Sequence, residues 1–389
     1  MEREGQQWVL DALLQSAGMD VLFTDVLGGY LENGHKYCDY ERTMKRVRSM
    51  PMLGPSWAIT GKQLEEQAIE AEQKGHLITA RGFYHRASLY YSRAMWSVMR
   101  ENDPNEDLYC QKSLKCYQKV IDYNDYPIEK VEIPVPDGRT IPALLHLPKK
   151  IDKPVPCIFF VPGMDMAKED FPNPLMNYAI QRGMACISID GPGQGESLVR
   201  GYKVTLENYD EAGKATIDYL ATRKEIDINK IGLMGISMGS YWAPHIASYD
   251  NRVKACAGTI ANFMQKYTMF KLAPPNFRKK YMYMAGIYDD AEFDKMASRM
   301  TLEEVVDKIK CQMLLVAGQY DQLCPSADTD KFFELLDCPK ELWMFENEFH
   351  TIGNRRSDWL PRVFDWLQDA VEDRLPKDLN KKIFYEQLK

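Results

Sequence analysis

Gly232-Leu233-Met234-Gly235-Ile236-Ser237-Met238-Gly239 decides how this chain is read. An apolar, strand-like run leads into the pattern G-x-S-x-G, and residues 240–248 continue with helical character. A serine on so sharp a strand-to-helix turn projects its hydroxyl clear of the sheet. Small residues at 235 and 239 are required because a Cβ there would collide with the neighbouring strand and helix. The backbone N–H of Met238, at the start of the helix, is placed to stabilise an oxyanion. Pentapeptides of this form also arise by chance, so the surroundings must carry the reading.

Working outward, apolar runs at 155–161, 184–190, 230–236, 253–260, 311–317 and 341–345 alternate with helical stretches. That rhythm predicts an α/β fold built on a mostly parallel, doubly wound sheet covered on both faces. Residues 131–136 and 140–147 alternate around Asp137-Gly138 and read as a β-hairpin that opens this part. Before residue 126 no period-2 segment occurs, whereas 61–74, 76–100 and 105–123 carry apolar residues at helical spacing. The expectation is an all-helical domain over 1–125 and an α/β domain over 126–389. Residues 261–309, rich in Met, Tyr, Phe and Lys, break the rhythm and read as a cap passing over one edge of the sheet. Residues 357–371 carry an amphipathic helical stripe, and the polar tail beyond Arg374 is expected to lie on the surface.

Sheets of this kind collect functional side chains at the carboxyl ends of their strands. Where a nucleophile elbow is present, the order along the chain is serine, acid, histidine. Leu314 to Asp321 is a strand ending in an acid, and Trp343 to His350 is a strand ending in a histidine, which makes Asp321 the acid and His350 the base. A loop aspartate is often only a turn or cap residue, and a loop histidine is often only solvated; order and spacing select these two. His35, His76 and His85 fall in the helical half, His146 in the hairpin, and His245 on the helix leading away from Ser237. A second oxyanion donor is expected after the strand at 155–161, where Val161-Pro162-Gly163-Met164-Asp165 offers the Met164 N–H and, at Gly163, close approach to a substrate. The alternative is a plain strand-ending turn. Asp190-Gly191-Pro192-Gly193-Gln194-Gly195-Glu196-Ser197 is no dinucleotide loop, because its third glycine comes one residue too soon; it reads as a rigid turn beneath the site with Asp190 bonded to backbone.

Composition narrows the function classes. The 389 residues are 45% hydrophobic and 27% charged, which suits a folded protein of two or three domains and excludes disordered and fibrous classes. Fifty-six acids against 49 bases, with basic pairs only as short as Lys279-Lys280, argue against a nucleic-acid partner. The acidic start MEREGQQWVLDALL and the lack of any apolar run near the ~20 residues of a membrane helix lead to the expectation of no secretion signal and no membrane span. Nine cysteines, several inside apolar runs, fit a reducing, cytoplasmic setting better than a disulfide framework. No CxxC or HExxH segment occurs, so neither metal nor cofactor is expected.

With these residues placed, the chain resembles the α/β-hydrolase superfamily over about residues 127–372, carried by G-I-S-M-G, D-G-P-G-Q-G-E-S, the G-Q-Y-D strand end and the E-F-H loop. Its helical first part and P-G-M-D-M-A-K-E-D are similar to the branch that holds 2,6-dihydroxypseudooxynicotine hydrolase, the fungal polyketide-shortening hydrolases and the FrsA-type esterases. The resemblance implies that the helical half is a lid and that the triad is Ser237, Asp321 and His350, with Met164 and Met238 as oxyanion donors. It further implies cleavage of a carbon–carbon bond beside a ketone, on an aromatic or polyketide-like small molecule; a homodimer is a further expectation. For the pseudooxynicotine hydrolases of this branch an additional acid is expected near the segment after the fifth strand, yet residues 261–287 here contain no Asp or Glu, so substrate identity does not carry over. Gly163, Trp57, Tyr84, His85 and Tyr267 are the substrate-contact candidates, although aromatic stripes at helical spacing also serve packing. Carboxylesterase or thioesterase activity, acyl transfer or cyclisation, and a silent ligand-binding fold remain open alternatives.

Overall fold

Residues 155–161, Val-Pro-Cys-Ile-Phe-Phe-Val, offer no polar side chain to turn towards water, so they are stable as a strand only where both faces are covered. The computed structural model describes residues 7–18, 26–260, 262–273 and 275–386. Its strands are β1 (Ile128–Pro134), β2 (Thr140–His146), β3 (Val155–Val161), β4 (Ala185–Ile189), β5 (Ile226–Ile236), β6 (Val253–Thr259), β7 (Gln312–Gly318), β8 (Lys340–Phe345) and β9 (Asn380–Tyr385). They form one sheet in the order β1-β2-β4-β3-β5-β6-β7-β8-β9. Only the β1–β2 and β2–β4 pairs are antiparallel. From β4 through β9 every pair is parallel.

The period of two along β3 divides its side chains between two cores. Cys157, Phe159 and Val161 join one apolar cluster with residues of the helices Asn208–Ala221 and Gly239–Tyr249. Ile158 and Phe160 join the other, beneath Trp359, Leu360, Val363, Phe364 and Leu367 of the helix Arg356–Val371, which realises the stripe seen in the sequence.

The tail beyond Arg374 does lie on the surface, with no residue of β9 buried, and it also adds an edge strand: β9 pairs in register with β8, Trp343 opposite Ile383 and Phe345 opposite Tyr385. An edge strand needs only one covered side, so it carries no apolar run to announce it. One expectation is corrected: the segment 261–309 leaves between β6 and β7, which are neighbours inside the sheet, so it rises from mid-sheet and not over an edge. Its helices are Lys266–Leu272, Pro275–Ala285 and Asp290–Ser298.

The helical half consists of α1 (Gln7–Ala17), α2 (Val26–Asn33), α3 (Tyr37–Met44), α4 (Leu53–Gln73), α5 (Leu77–Trp96) and α6 (Pro104–Asp122). The start of α6 is set locally: the Asp103 side chain accepts the Asn105 N–H, and Pro104 occupies the first turn, where its missing donor costs nothing. Helices α3 to α6 close a cluster of their own around Trp57, Leu64, Ala80, Tyr84, Ala87 and Tyr90. No helix among the described residues is long and apolar enough to cross a membrane.

His85 lies inside this half, and among the described residues neither of its ring nitrogens has a hydrogen-bond partner. Burial, aided by Arg86, Lys36 and Arg81, pushes its pKa from 6.5 down to about 3. Between those values the unfolded chain binds a proton that the fold rejects, so stability that is complete above pH 6.5 is lost as the pH falls towards 3. Replacing the ring with an apolar side chain should remove that sensitivity. His85→Leu is expected to change stability little at pH 7, and to lose about 2 kcal/mol less than wild type on going to pH 5. Urea unfolding at the two pH values measures this; equal losses would refute it.

Candidate active site

The turn after β5 is built as the steric argument requires. Ser237 has φ +54°, in the left-handed region that a non-glycine residue rarely adopts. A Cβ on Gly235 would stand 2.2 Å from the Gly239 carbonyl oxygen, and one on Gly239 would stand 2.1 Å from that of Val161, so neither position admits a side chain. Thr259, the last residue of β6, pins the turn: its carbonyl accepts the Ser237 N–H at 3.1 Å and the Ser240 hydroxyl at 2.8 Å.

The ends of β7 and β8 are stitched together beside it. The Gln319 N–H donates to the Phe345 carbonyl and the Tyr320 N–H to that of Glu348, both at 2.9 Å. The His350 N–H donates to Gln322 Oε1 at 3.2 Å. Asp321 is buried, and its Oδ1 accepts the N–H groups of Leu323 and Cys324 at 2.8 Å each, which fixes the carboxylate plane. His350 Nδ1 lies 3.1 and 3.0 Å from the two Asp321 oxygens, and its Nε2 lies 2.9 Å from Ser237 Oγ. Three side chains far apart in sequence therefore meet at the carboxyl rim of the sheet.

The loop after β3 completes the rim. A Cβ on Gly163 would lie 3.2 Å from the Ile236 carbonyl oxygen and 3.5 Å from Ser237 Cβ, so this backbone runs directly past the serine. Among the described residues neither the Met164 nor the Met238 N–H donates to a backbone carbonyl.

Residues 53–316 match the family described as esterase FrsA-like. The chain belongs to that family. Among its curated relatives, the alpha/beta hydrolase xenA of Xenoacremonium sinensis is 26% identical over 84% of this chain and 89% of its own length. The 2,6-dihydropseudooxynicotine hydrolase of Paenarthrobacter nicotinovorans is 25% identical over 88% of this chain and 91% of its own. The crystal structure of 2,6-dihydroxy-pseudo-oxynicotine hydrolase superposes with a TM-score of 0.79 at 22% identity, covering 91% of this chain and 99% of that one; the likeness is one of fold. The FrsA-like chain has the α/β-hydrolase fold with an N-terminal helical region, as its sequence predicts.

The other substrate-contact candidates separate. Trp57 is buried in the core of the helical half and borders a small cavity of about 40 Å³, shared with Tyr30, Tyr40, Arg93, Trp96, Phe277 and, from the loop after β3, Asp165. Asp165 Oδ1 would be 3.6 Å from a Cβ on Gly163, which ties this pocket to the serine's neighbourhood. Tyr84 is not brought there: its hydroxyl donates to Glu72 Oε2 at 2.5 Å within the helical half. His85 packs against Tyr117, away from the rim. Both are buried on α5 but on different sides of it, Tyr84 towards Glu72 of α4 and His85 towards Tyr117 of α6, and helical spacing alone cannot distinguish such packing from a pocket wall. Tyr267, on the helix Lys266–Leu272, is half-buried against the core with Lys271 over its ring.

Several polar contacts around this rim join segments that the sequence alone does not bring together. Gln194 Nε2 donates to the Gly163 carbonyl at 2.6 Å, and the Tyr209 hydroxyl donates to Gln194 Oε1 at 2.7 Å. Asp190 accepts the N–H groups of Lys168 and Glu196, as the rigid-turn reading expects. It also pairs with the buried Lys168 amine at 2.9 Å, which in turn meets Glu169 and Glu196. Burial pushes the Glu169 carboxyl up despite Lys168. Arg93 of α5 is buried; burial opposes its charge, but the carboxylates of Asp170 and Asp165 outweigh that and raise its pKa. Asp165, Lys168, Glu169, Asp170, Asp190, Gln194 and Glu196 lie inside the segments P-G-M-D-M-A-K-E-D and D-G-P-G-Q-G-E-S, but their partners Arg93 and Tyr209 lie outside both, so the contacts themselves are not written in either motif.

Proposed function

We propose that this protein is a serine hydrolase that cleaves a carbon–carbon bond beside a ketone, on a β-dicarbonyl or acyl-aromatic substrate, through an acyl-enzyme. The observation that carries the reading is the continuous contact from Ser237 Oγ through His350 to Asp321, at 2.9 Å and 3.0 Å. His350 Nε2 takes the serine proton while Asp321 holds the Nδ1–H tautomer and stabilises the imidazolium. Ser237 Oγ attacks the carbonyl, and the oxyanion is received by the Met164 and Met238 N–H groups. Collapse breaks the bond to the α-carbon, whose electron pair is spread over an adjacent carbonyl or hydroxylated ring. That carbon takes the proton from His350. Water, deprotonated by His350, then releases the acyl group as a carboxylic acid.

In this reading the helical half is a lid that supplies substrate fit. The family's description as esterases favours a second reading, hydrolysis of an ester by the same triad with no carbanion to stabilise.

One paired assay separates the two. Wild type is expected to cleave an aromatic β-diketone in H₂¹⁸O with one label in the released acid. Fast turnover of p-nitrophenyl butyrate beside an untouched diketone overturns carbon–carbon cleavage in favour of the esterase reading. Acyl products without label would point instead to transfer onto another nucleophile.

A further inference from the structure

Gly163 O and the Met164 N–H belong to one trans peptide plane, so a group that grips the carbonyl aims the N–H in the opposite direction. Gln194 does this at 2.6 Å, and Gln194 is itself oriented by the Tyr209 hydroxyl. The following residue, Asp165, is gripped by the helical half. Arg93 Nη1 donates to Asp165 Oδ2 at 2.9 Å, and Nη2 donates to Asp170 Oδ2 at 2.6 Å and contacts the Asp165 carbonyl. Ser92 Oγ and the Ala167 N–H converge on that same Asp170 oxygen at 3.0 and 2.8 Å. A guanidinium is a planar fork, so its acceptors on residues 165 and 170 are fixed relative to one another.

We propose that Arg93 and Gln194 are positioning residues that fix the Met164 peptide through its two neighbours, Gln194 by the Gly163 carbonyl and Arg93 by Asp165, making the helical half a working part of the oxyanion hole. The inference rests on the reading of Ser237 as nucleophile. It goes beyond that reading by giving the helical half a role in the rate of the chemical step as well as in substrate fit. Neither side chain is assigned a contact with substrate. Both act through a backbone N–H whose direction matters only when negative charge develops on the carbonyl oxygen.

The test uses full-length wild type, Arg93→Met, Arg93→Lys and Gln194→Glu, the last nearly the same shape but without the amide donor. Each is checked for fold by circular dichroism and thermal unfolding. Turnover of p-nitrophenyl butyrate gives kcat and KM, and phenylboronic acid, which becomes tetrahedral on the serine, gives an inhibition constant. For Gln194→Glu and Arg93→Met, kcat is expected to fall about 10- to 100-fold with KM within about threefold, and boronate affinity to fall in step. Arg93→Lys, which keeps the charge but loses the fork, should recover part of the loss. Should Arg93→Met fail to fold, the other two variants carry the test.

Folded variants with unchanged kcat, or with KM raised and kcat kept, overturn this proposal alone. Wild type that binds no boronate overturns the Ser237 reading, and this proposal with it.

Discussion

Ser237→Ala is expected to lower kcat by about 10⁶-fold while the protein stays folded. The hydroxyl is the one group of the rim whose loss removes the covalent route entirely. His350 then has no proton to take, and the two N–H groups face a carbonyl that nothing attacks. Structural cost is small, because Ser237 Oγ makes its contact with His350 and the turn itself is held through backbone, by Thr259 and by the close approach of residues 235 and 239. Stopped assays at high enzyme concentration, with unfolding curves for both proteins, measure the effect. A rate within tenfold of wild type would mean that the serine is not the nucleophile.

Asp321→Asn should cost about 10⁴-fold in kcat, less than the serine but far more than a lost hydrogen bond alone would explain. The native carboxylate accepts from His350 Nδ1 and from the N–H groups of Leu323 and Cys324. In the amide, those two N–H groups select the carbonyl oxygen, which leaves the NH₂ facing the imidazole. His350 must then present a bare Nδ1, so Nε2 carries the hydrogen and cannot accept the Ser237 proton. The loss should shrink at alkaline pH, where hydroxide competes for the serine proton. A variant with near-wild-type kcat would show that the Asp321 contact is structural only.

The contrast between what the sequence reveals and what it hides has a physical origin. The run at 155–161 is β3 to the residue, because strands buried on both faces must be apolar throughout, and that pattern is local. The elbow is equally local: the need for glycine at 235 and 239 is written in the motif itself. Asp321 and His350 are legible because strand ends in such a sheet share a rim. β9 escapes because one side of an edge strand faces water: Lys382 there pairs with Asp330 and Glu334, so its polar residues look like a tail. The position of the 261–309 excursion depends on β6 and β7 being neighbours, which no periodicity records. Tyr84 and His85 show the same limit in a helix, since spacing gives the buried face of α5 but not whether side chains or a substrate cover it. Asp165 and Gln194 stand in recognisable motifs, but their pairing with Arg93 and with the Gly163 carbonyl lies in contacts across the chain that no motif records.

Every chemical step proposed for this protein begins at Ser237 as an activated nucleophile, and a fluorophosphonate probe tests that most directly. Native protein treated with the probe, digested and mapped by mass spectrometry should carry one adduct per chain, on the peptide containing Ser237, and Asp321→Asn should react far more slowly. An unlabelled native protein, or an adduct on any other residue with Ser237 untouched, would contradict it.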